Sequence, residues 1–139
     1  RTESLESRQS VARILIAEDE RDIRELIELV LTHFAQHEVF KATNGAEVVE
    51  MAPQVMPDLI VMDVRMPRMT GYEACAALKQ IEAVKDIPVV FLSAKGQESE
   101  IDTGLQVGAD DYILKPFAPD ELVRRVNEIL QRFGKLNNA

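Results

Sequence analysis

The stretch that most constrains this chain is 59–67, LIVMDVRMP, in which an apolar run leads directly into Asp63. A continuous apolar run of this length is typical of a strand buried on both faces, as in a parallel sheet covered by helices. Pro67 ends the stretch because proline lacks a backbone donor and restricts the residue before it. Asp63 is therefore expected at the carboxyl end of an interior strand, the edge where open α/β sheets bind ligands. Its alternative role is to cap the loop after the strand.

Apolar or mixed runs recur along the chain, and each gap between them carries one helical pattern. The other predicted strands are 13–17, 39–43, 88–92 and 112–114. Lys41, at the centre of the second strand, indicates a sheet edge. Five strand–helix units joined by right-handed crossovers predict a doubly wound, five-stranded parallel α/β sheet of the flavodoxin-like order 2-1-3-4-5.

Four helices are predicted from apolar spacing and from their end signals. The one after Thr70-Gly71 has an apolar face formed by Tyr72, Cys75, Leu78 and Ile81. The first has one apolar face over about four turns, formed by Ile23, Leu26, Ile27, Val30, Leu31 and Phe34. Asp19 or Glu20 is expected to cap it. Pro53 is expected to close the second, short helix. The last helix begins at Pro119, and its predicted buried residues are Leu122, Val126, Ile129 and Phe133.

The helix predicted between Glu98 and Val107 is poor in apolar residues. Its apolar face is Ile101, Leu105 and Val107, and the interior Gly104 costs about 1 kcal/mol relative to alanine. We expect it to be the least firmly packed helix and the easiest to shift. An ordinary surface helix is the alternative interpretation.

Composition narrows the class of protein. A net charge of −8 argues against a general nucleic-acid backbone binder. No apolar run approaches the length of a membrane helix, and no signal peptide is recognisable. The single cysteine, Cys75, excludes an internal disulfide framework, and His33 and His37 are expected to face solvent. We expect a cytoplasmic domain that binds neither membranes nor, directly, nucleic acid.

The predicted domain spans residues 12–133. Residues 1–11 are polar and lack periodicity, so we expect a mobile N-terminal arm. Residues 134–139 are expected to be a C-terminal tail or the start of a linker.

Polar side chains lie at the ends of four of the predicted strands. Glu18 and Asp19 come after the first, Asp63 ends the third, and Ser93 and Lys115 come after the fourth and fifth. Two like charges about 4 Å apart repel by about 4 kcal/mol at an effective dielectric of 20, so the carboxylates need a cation. Oxygen ligands favour a hard ion such as Mg²⁺. With a hydroxyl and an ammonium beside them, they form a site suited to a phosphoryl group.

A carboxylate is ionised at neutral pH and needs no general base to act as a nucleophile. Attack by Asp63 on phosphorus would leave an acyl phosphate, which is reactive and temporary. A temporary modification suits a signal better than it suits a structural role. Taken one at a time, these residues have ordinary alternatives: a helix cap, a turn residue or a solvated charge.

The chain resembles the receiver domain of two-component response regulators over residues 12 to about 133. The matching motifs, in order, are Glu18-Asp19, 63–67 (DVRMP), Ser93-Ala94, 108–112 (GADDY) and 115–117 (KPF). Each motif is weak alone, but together at these spacings they are highly specific. The chain departs from the family pattern at two positions: Glu18 stands where aspartate is common, and Ser93 where threonine is common. Both residues keep the required group, a carboxylate and a hydroxyl.

This resemblance implies roles for the residues at the carboxyl edge. Asp63 would accept a phosphoryl group from a phosphohistidine on a sensor histidine kinase or phosphotransfer domain. Mg²⁺ would be held by Glu18, Asp19, Asp63 and the backbone carbonyl of Arg65. The protein would then be a switch that catalyses only its own phosphorylation and dephosphorylation. We also expect the side chains of Arg65 and Lys95 to tune the lifetime of the phosphoryl group by screening water.

The resemblance also implies how the signal leaves the site. Ser93 and Lys115 would contact the phosphoryl oxygens, and the peptide bond from Lys115 to Pro116 would be cis. Ser93 and Tyr112 would form a switch pair. The fourth helix, fifth strand and fifth helix would present the responding surface to a downstream effector or output domain, and a homodimer is a further expectation.

Three other functions fit the sequence less well. An aspartate-nucleophile phosphohydrolase would need a second acid two residues after Asp63, where Arg65 stands. A phosphorylation-independent binding module with this fold would be expected to have lost a ligand, and none is missing. A nucleotide-binding enzyme would need a glycine-rich loop after the first strand, and none is present there.

Overall fold

The computed structural model describes residues 12–94 and 97–135. The predicted mobile arm at 1–11 and residues 136–139 of the predicted tail lie outside this range, as do Lys95 and Gly96. The strands are β1 (Arg13–Ala17), β2 (Glu38–Ala42), β3 (Leu59–Asp63), β4 (Val89–Ala94) and β5 (Asp111–Lys115). The helices are α1 (Arg21–Leu29), α2 (Gly45–Val55), α3 (Gly71–Leu78), α4 (Glu98–Gln106) and α5 (Pro119–Arg132). None of these helices is both long and apolar enough to cross a bilayer.

The predicted sheet is confirmed. All five strands are parallel and lie in the order β2-β1-β3-β4-β5. β2 is an edge strand, and Lys41 on it is exposed and pairs with Glu28 of α1 at 2.8 Å. Each residue of β3 is buried, as its unbroken apolar sequence predicted.

Two apolar clusters cover the two faces of the sheet, because strand side chains alternate between faces. One cluster joins β1, β3, β4 and β5 to buried residues of α1 and α5, including Ile27 and Leu122. The other joins the opposite faces of β1, β3 and β4 to α2 and α3, including Val48 and Cys75. The result is a three-layer α/β/α arrangement whose carboxyl strand ends share one edge.

The prediction of a regular four-turn first helix is wrong at the carboxyl end of that helix. After Leu29 the chain widens into a π-helical turn at Val30–Phe34. A π turn holds an extra residue and rotates the residues after it around the helix axis. Phe34 is consequently 70% exposed, and Leu26 is 41% exposed. Glu20 occupies the N-cap position, but its side chain makes no capping hydrogen bond.

Two expectations about helix ends are also wrong. Pro53 lies inside α2, which continues to Val55 and ends at the left-handed Met56 (φ 51°). A proline removes a single backbone donor, and here the helix tolerates that loss near its end. Phe133 comes after the last residue of α5 and adopts a non-helical cap conformation, so its ring leaves the buried face. Leu130 is buried in that helix instead.

Helix α4 has few apolar contacts. Leu105 is 49% exposed, Ile101 is half-buried, and its fully buried described residues are Glu100 and Gly104. A Cβ on Gly104 would lie 2.5 Å from the Phe91 ring, so glycine is required for the helix to approach β4. Gly104 therefore permits close packing, whereas the sequence alone had suggested only a loss of helix propensity.

His37 is buried, which corrects the expectation that both histidines face solvent; His33 is exposed. The Nδ1 atom of His37 accepts a hydrogen bond from the Ala12 backbone N–H at 3.1 Å. Its Nε2 lies 2.8 Å from the side-chain oxygen of Asn127 on α5, to which it donates. The ring therefore links the start of β1 to α5 in its neutral form. Burial lowers the pKa of His37 below its usual value of 6.5.

We predict that protonation of His37 destabilises the fold. Because the folded-state pKa of His37 is lowered, the free energy of unfolding should fall as pH drops below 6.5. His37→Gln should lower that free energy at pH 7 by about 1–3 kcal/mol through lost buried hydrogen bonds, and should flatten its dependence on pH in this range. Urea unfolding from pH 5 to 8 measures both effects. His33→Gln is the matched control, and an equal pH dependence in both variants would contradict the prediction.

Candidate functional site

Asp63 ends β3 with its side chain buried at the carboxyl edge. Its Oδ1 accepts the Arg65 backbone N–H at 3.0 Å, and its Oδ2 accepts a hydrogen bond from Lys115 Nζ at 2.8 Å. The loop after Asp63 folds back closely, because the Gly71 N–H donates to the carbonyl of Val64 at 2.9 Å. A Cβ on Gly71 would collide with the Asp63 carbonyl oxygen, so this approach requires glycine.

Glu18 and Asp19 come directly after β1 and complete the carboxylate cluster. Glu18 is fully buried, whereas Asp19 is exposed. One carboxylate oxygen from each of Glu18, Asp19 and Asp63 lies within 4.8 Å of the others. Arg24 Nη1 holds the loop by donating to the Glu18 carbonyl at 2.7 Å. The sequence prediction missed Arg24, although a base near a helix amino end opposes the helix dipole and was a usable signal.

Charge in this cluster is imperfectly balanced. Burial and the neighbouring Asp63 carboxylate raise the pKa of Glu18 to about 8. Lys115 Nζ lies 3.7 Å from Glu18 Oε1, and that oxygen has no hydrogen-bond partner among the described residues. Burial disfavours the Lys115 ammonium, but the hydrogen bond to Asp63 and the attraction of the Asp63, Glu18 and Glu20 carboxylates together outweigh that cost and raise the pKa of Lys115. The charges of the site would therefore be better balanced by one more positive group.

The two predicted switch residues lie on neighbouring strands. Ser93 is completely buried on β4, and its Oγ finds no hydrogen-bond partner in 12–94 or 97–135. It is paired with Leu114, one position before Lys115 on β5. Tyr112 is half-buried nearer the start of β5, where it pairs with Phe91. The peptide bond from Lys115 to Pro116 is cis.

A cavity of about 260 Å³ opens over Asp63. It is mainly polar, and the residues that line it come from the loops after β1 and β3, from the ends of β3, β4 and β5, and from α4. They are Asp19, Glu20, Asp63, Arg65, Ala94, Glu100 and Lys115. A tetrahedral anion placed here would meet the Lys115 ammonium and lie next to the carboxylate cluster.

The Arg65 side chain leaves the carboxylate cluster and reaches α4. Its Nη2 lies 2.7 Å from Glu100 Oε2, and its Nε lies 2.8 Å from the same oxygen. The Arg65 side chain is thus engaged by Glu100 in this structure. The water-screening role expected for Arg65 stays a prediction, as does that of Lys95, which lies outside the described residues. Sequence reasoning missed Glu100 because it searched α4 for apolar residues. No spacing within α4 signalled it, because its partner Arg65 lies 35 residues away in sequence.

A family model described as "Response regulator receiver domain" matches residues 14–127. This chain belongs to the response regulator receiver domain family. The match lies within the predicted 12–133 boundaries and contains every site residue described above. The receiver domain is the phosphoacceptor module of two-component regulators, and the carboxylate cluster and Lys115 fit that role.

Similar sequences and similar solved structures are consistent with this family assignment. The domain is 44% identical over 121 residues to the phosphate regulon transcriptional regulatory protein PhoB of Pseudomonas aeruginosa, covering 87% of this chain and 52% of the relative. A putative response regulator from Chloroflexus aurantiacus superposes with a TM-score of 0.82 at 38% identity, covering 87% of this chain and 98% of that chain. The chain spans about half the length of the curated relatives it matches.

A second similar structure bears on metal binding. It is the receiver domain of a sensor histidine kinase from Pseudomonas aeruginosa, solved with a magnesium ion coordinated in its active site cleft. Its TM-score is 0.77 at 30% identity, and the match covers 88% of this chain and 96% of that one.

We predict that buried Glu18 costs stability when no cation is present. Because the folded-state pKa of Glu18 is raised from 4.5 to about 8, its favourable neutral form is lost as pH rises between these values. Glu18→Gln should therefore unfold like the parent at pH 4.5 and become more stable than it by a few kcal/mol, in order of magnitude, above pH 8. Urea unfolding in a chelating buffer measures the difference.

The matched control is Glu20→Gln, which removes the same charge from an exposed neighbour. The difference in free energy of unfolding between Glu20→Gln and the parent should not change with pH. The raised pKa of Glu18 would be contradicted if the parent and Glu18→Gln differed in free energy of unfolding by the same amount at pH 4.5 and above pH 8.

Proposed function

We propose that this receiver domain accepts a phosphoryl group on the Asp63 carboxylate from a phosphohistidine on a sensor histidine kinase or phosphotransfer domain. The observation that carries the proposal is the ion pair of Asp63 with Lys115, at 2.8 Å, beside a buried Glu18 oxygen that has no hydrogen-bond partner among the described residues. The arrangement places an ionised nucleophile, a cation and spare ligand capacity around one polar cavity. The domain catalyses only its own phosphorylation and dephosphorylation.

The chemical step exchanges one bond for another. An Asp63 carboxylate oxygen forms a bond to phosphorus while the bond from phosphorus to the donor's imidazole nitrogen breaks. The electron pair of that bond returns to the imidazole, which takes a proton from solvent. Hydrolysis later reverses the modification, as water attacks phosphorus and the carboxylate leaves. No general base is required for the first step, because a carboxylate is already ionised at neutral pH.

The same residues fit a magnesium ion. The three clustered carboxylates offer only oxygen ligands, which suit a hard divalent cation, and Glu18 Oε1 lacks a partner in the described part of the chain. Glu18, Asp19, Asp63 and the backbone carbonyl of Arg65 would hold Mg²⁺. When bound, it would neutralise charge on the transferring phosphoryl oxygens. Glu18 would then be ionised in spite of its burial.

Two further residues act on the phosphoryl group itself. Lys115 already lies 2.8 Å from Asp63 Oδ2 and would follow the negative charge from the carboxylate to the phosphoryl oxygens. Ser93 Oγ is buried and finds no partner among the described residues, so it gains a hydrogen bond if it turns toward the same oxygens. That movement would leave space beside β5 for Tyr112, and the two residues would act as the switch pair.

The signal would leave through α4, β5 and α5. Arg125 and Arg132 of α5 bind Asp111 of β5 at 2.9 and 2.8 Å, so strand and helix would respond as one unit. A downstream effector or output domain would read this surface, and a homodimer is a further use of it. The domain would act in the cytoplasm. It would make no direct contact with nucleic acid or with a membrane.

Incubation with acetyl phosphate and Mg²⁺ tests the function. The intact mass should gain one phosphoryl group, and the gain should disappear without Mg²⁺ and in Asp63→Asn. The physical reason is that the amide of asparagine is a poor nucleophile and a weaker metal ligand. The phosphoryl group should also be lost on standing, since an acyl phosphate hydrolyses.

Asp22→Asn is the matched control, because it removes a carboxylate from the exposed start of α1 and should be phosphorylated like the parent. A folded, Mg²⁺-binding parent that gains no phosphoryl group, even transiently, would overturn the proposal. The phosphorylation-independent binding module would then be the better description.

A further inference from the structure

The first turn of α4 is attached to the rest of the domain through a buried acid. Glu100 is 6% exposed, and its Oε2 accepts two hydrogen bonds from the Arg65 guanidinium, at 2.7 and 2.8 Å. The Tyr72 hydroxyl donates to the backbone carbonyl of Glu100 at 3.1 Å. Charge-assisted bonds from a guanidinium to a carboxylate are short and directional. The position of this turn therefore depends on Arg65.

Few other contacts hold α4. Leu105 is 49% exposed, and Gly104 rests against the Phe91 ring. Phe91 in turn meets the Tyr72 ring edge-on, with centroids 5.6 Å apart. Neither Ile101 nor Leu105 belongs to the apolar clusters that cover the described sheet. A helix held by an ion pair more than by apolar packing will respond to a change in local charge.

The ion pair faces the cavity over Asp63. Arg65 and Glu100 line the same space of about 260 Å³ as Asp63 and Lys115. Arg65 also contacts Asp63 directly, because its backbone N–H donates to Oδ1 at 3.0 Å. A single residue thus contacts the phosphoacceptor with its backbone and the start of α4 with its side chain.

We propose that Arg65 and Glu100 form a latch that phosphorylation of Asp63 opens, an inference that rests on the function proposed above. A phosphoryl group brings about two negative charges into the cavity that both residues line. It attracts the Arg65 guanidinium and repels the Glu100 carboxylate, so the ion pair weakens from both sides. The first turn of α4 is then released from the loop after β3. Arg65 and Glu100 are positioning residues, since neither side chain takes part in the transfer.

The latch differs from a static structural ion pair in its response to charge. Glu100→Gln removes the charge at constant size, and Asp102→Asn removes a charge from an exposed position of the same helix. Amide hydrogen exchange over 98–106, measured by mass spectrometry on each full chain, reports the opening of α4. Exchange in α1 and β3 of the same sample reports any general loss of stability, and intact mass reports phosphoryl occupancy after acetyl phosphate and Mg²⁺.

Before phosphorylation, α4 should exchange about tenfold faster in Glu100→Gln than in the parent, because the buried Glu100 loses its charge-assisted bonds to Arg65, whose own side chain is 75% exposed. Exchange in α1 and β3 should not change, and Asp102→Asn should match the parent. After phosphorylation, the amide exchange rate of α4 should rise by a similar factor in the parent and in Asp102→Asn. In Glu100→Gln that rate should change by less than about twofold, since its latch is already open.

Two results would overturn the latch and leave the proposed function intact. One is equal α4 exchange in Glu100→Gln and Asp102→Asn before phosphorylation. The other is unchanged α4 exchange in a parent whose mass shows full phosphoryl occupancy. A parent that gains no phosphoryl mass would instead overturn the proposed function, and phosphoryl-driven opening with it.

Discussion

The structure depends on the repulsion between two acids buried at one edge of a sheet. Glu18 and Asp63 lie next to one another with Lys115 placed at 3.7 and 2.8 Å from them. One ammonium does not compensate two carboxylates, and burial together with the neighbouring Asp63 carboxylate raises the pKa of Glu18. A buried charge without a full complement of partners is unfavourable unless a ligand supplies them. The three clustered carboxylates are therefore able to bind a cation, which would supply the missing charge.

The fold supplies the positions that this chemistry needs. Parallel strands bring their carboxyl ends to one edge, so residues far apart in sequence become neighbours without a dedicated loop. Asp63 is fixed by the interior strand β3, and Lys115 by β5. Close approach of the loop after β3 depends on Gly71, and close approach of α4 depends on Gly104. The side chains proposed to change partners lie at strand ends and on α4, outside the two apolar clusters that cover the sheet.

The sequence predicted the sheet order and the carboxylate edge because both arise from local patterns. An unbroken apolar run identified β3, and chemistry-bearing residues stood at the ends of four strands. The errors arose where tertiary contacts override such patterns. The π turn that exposes Phe34 and the burial of His37 against Asn127 have no signature in apolar periodicity. The partnership of Arg65 with Glu100 joins elements 35 residues apart, so spacing along one helix could not reveal it.

Asp63 is the residue proposed to carry the transferred group, in the form of an acyl phosphate. Hydride reduction of the freshly phosphorylated protein, together with peptide mapping, tests this most directly, because borohydride converts an acyl phosphate to an alcohol and leaves free carboxylates untouched. We predict homoserine at position 63 after reduction, and unmodified aspartate there in a sample kept from phosphoryl donors. An intact Asp63 with a stable phosphoester on Ser93, or an alcohol at Asp19, would contradict it.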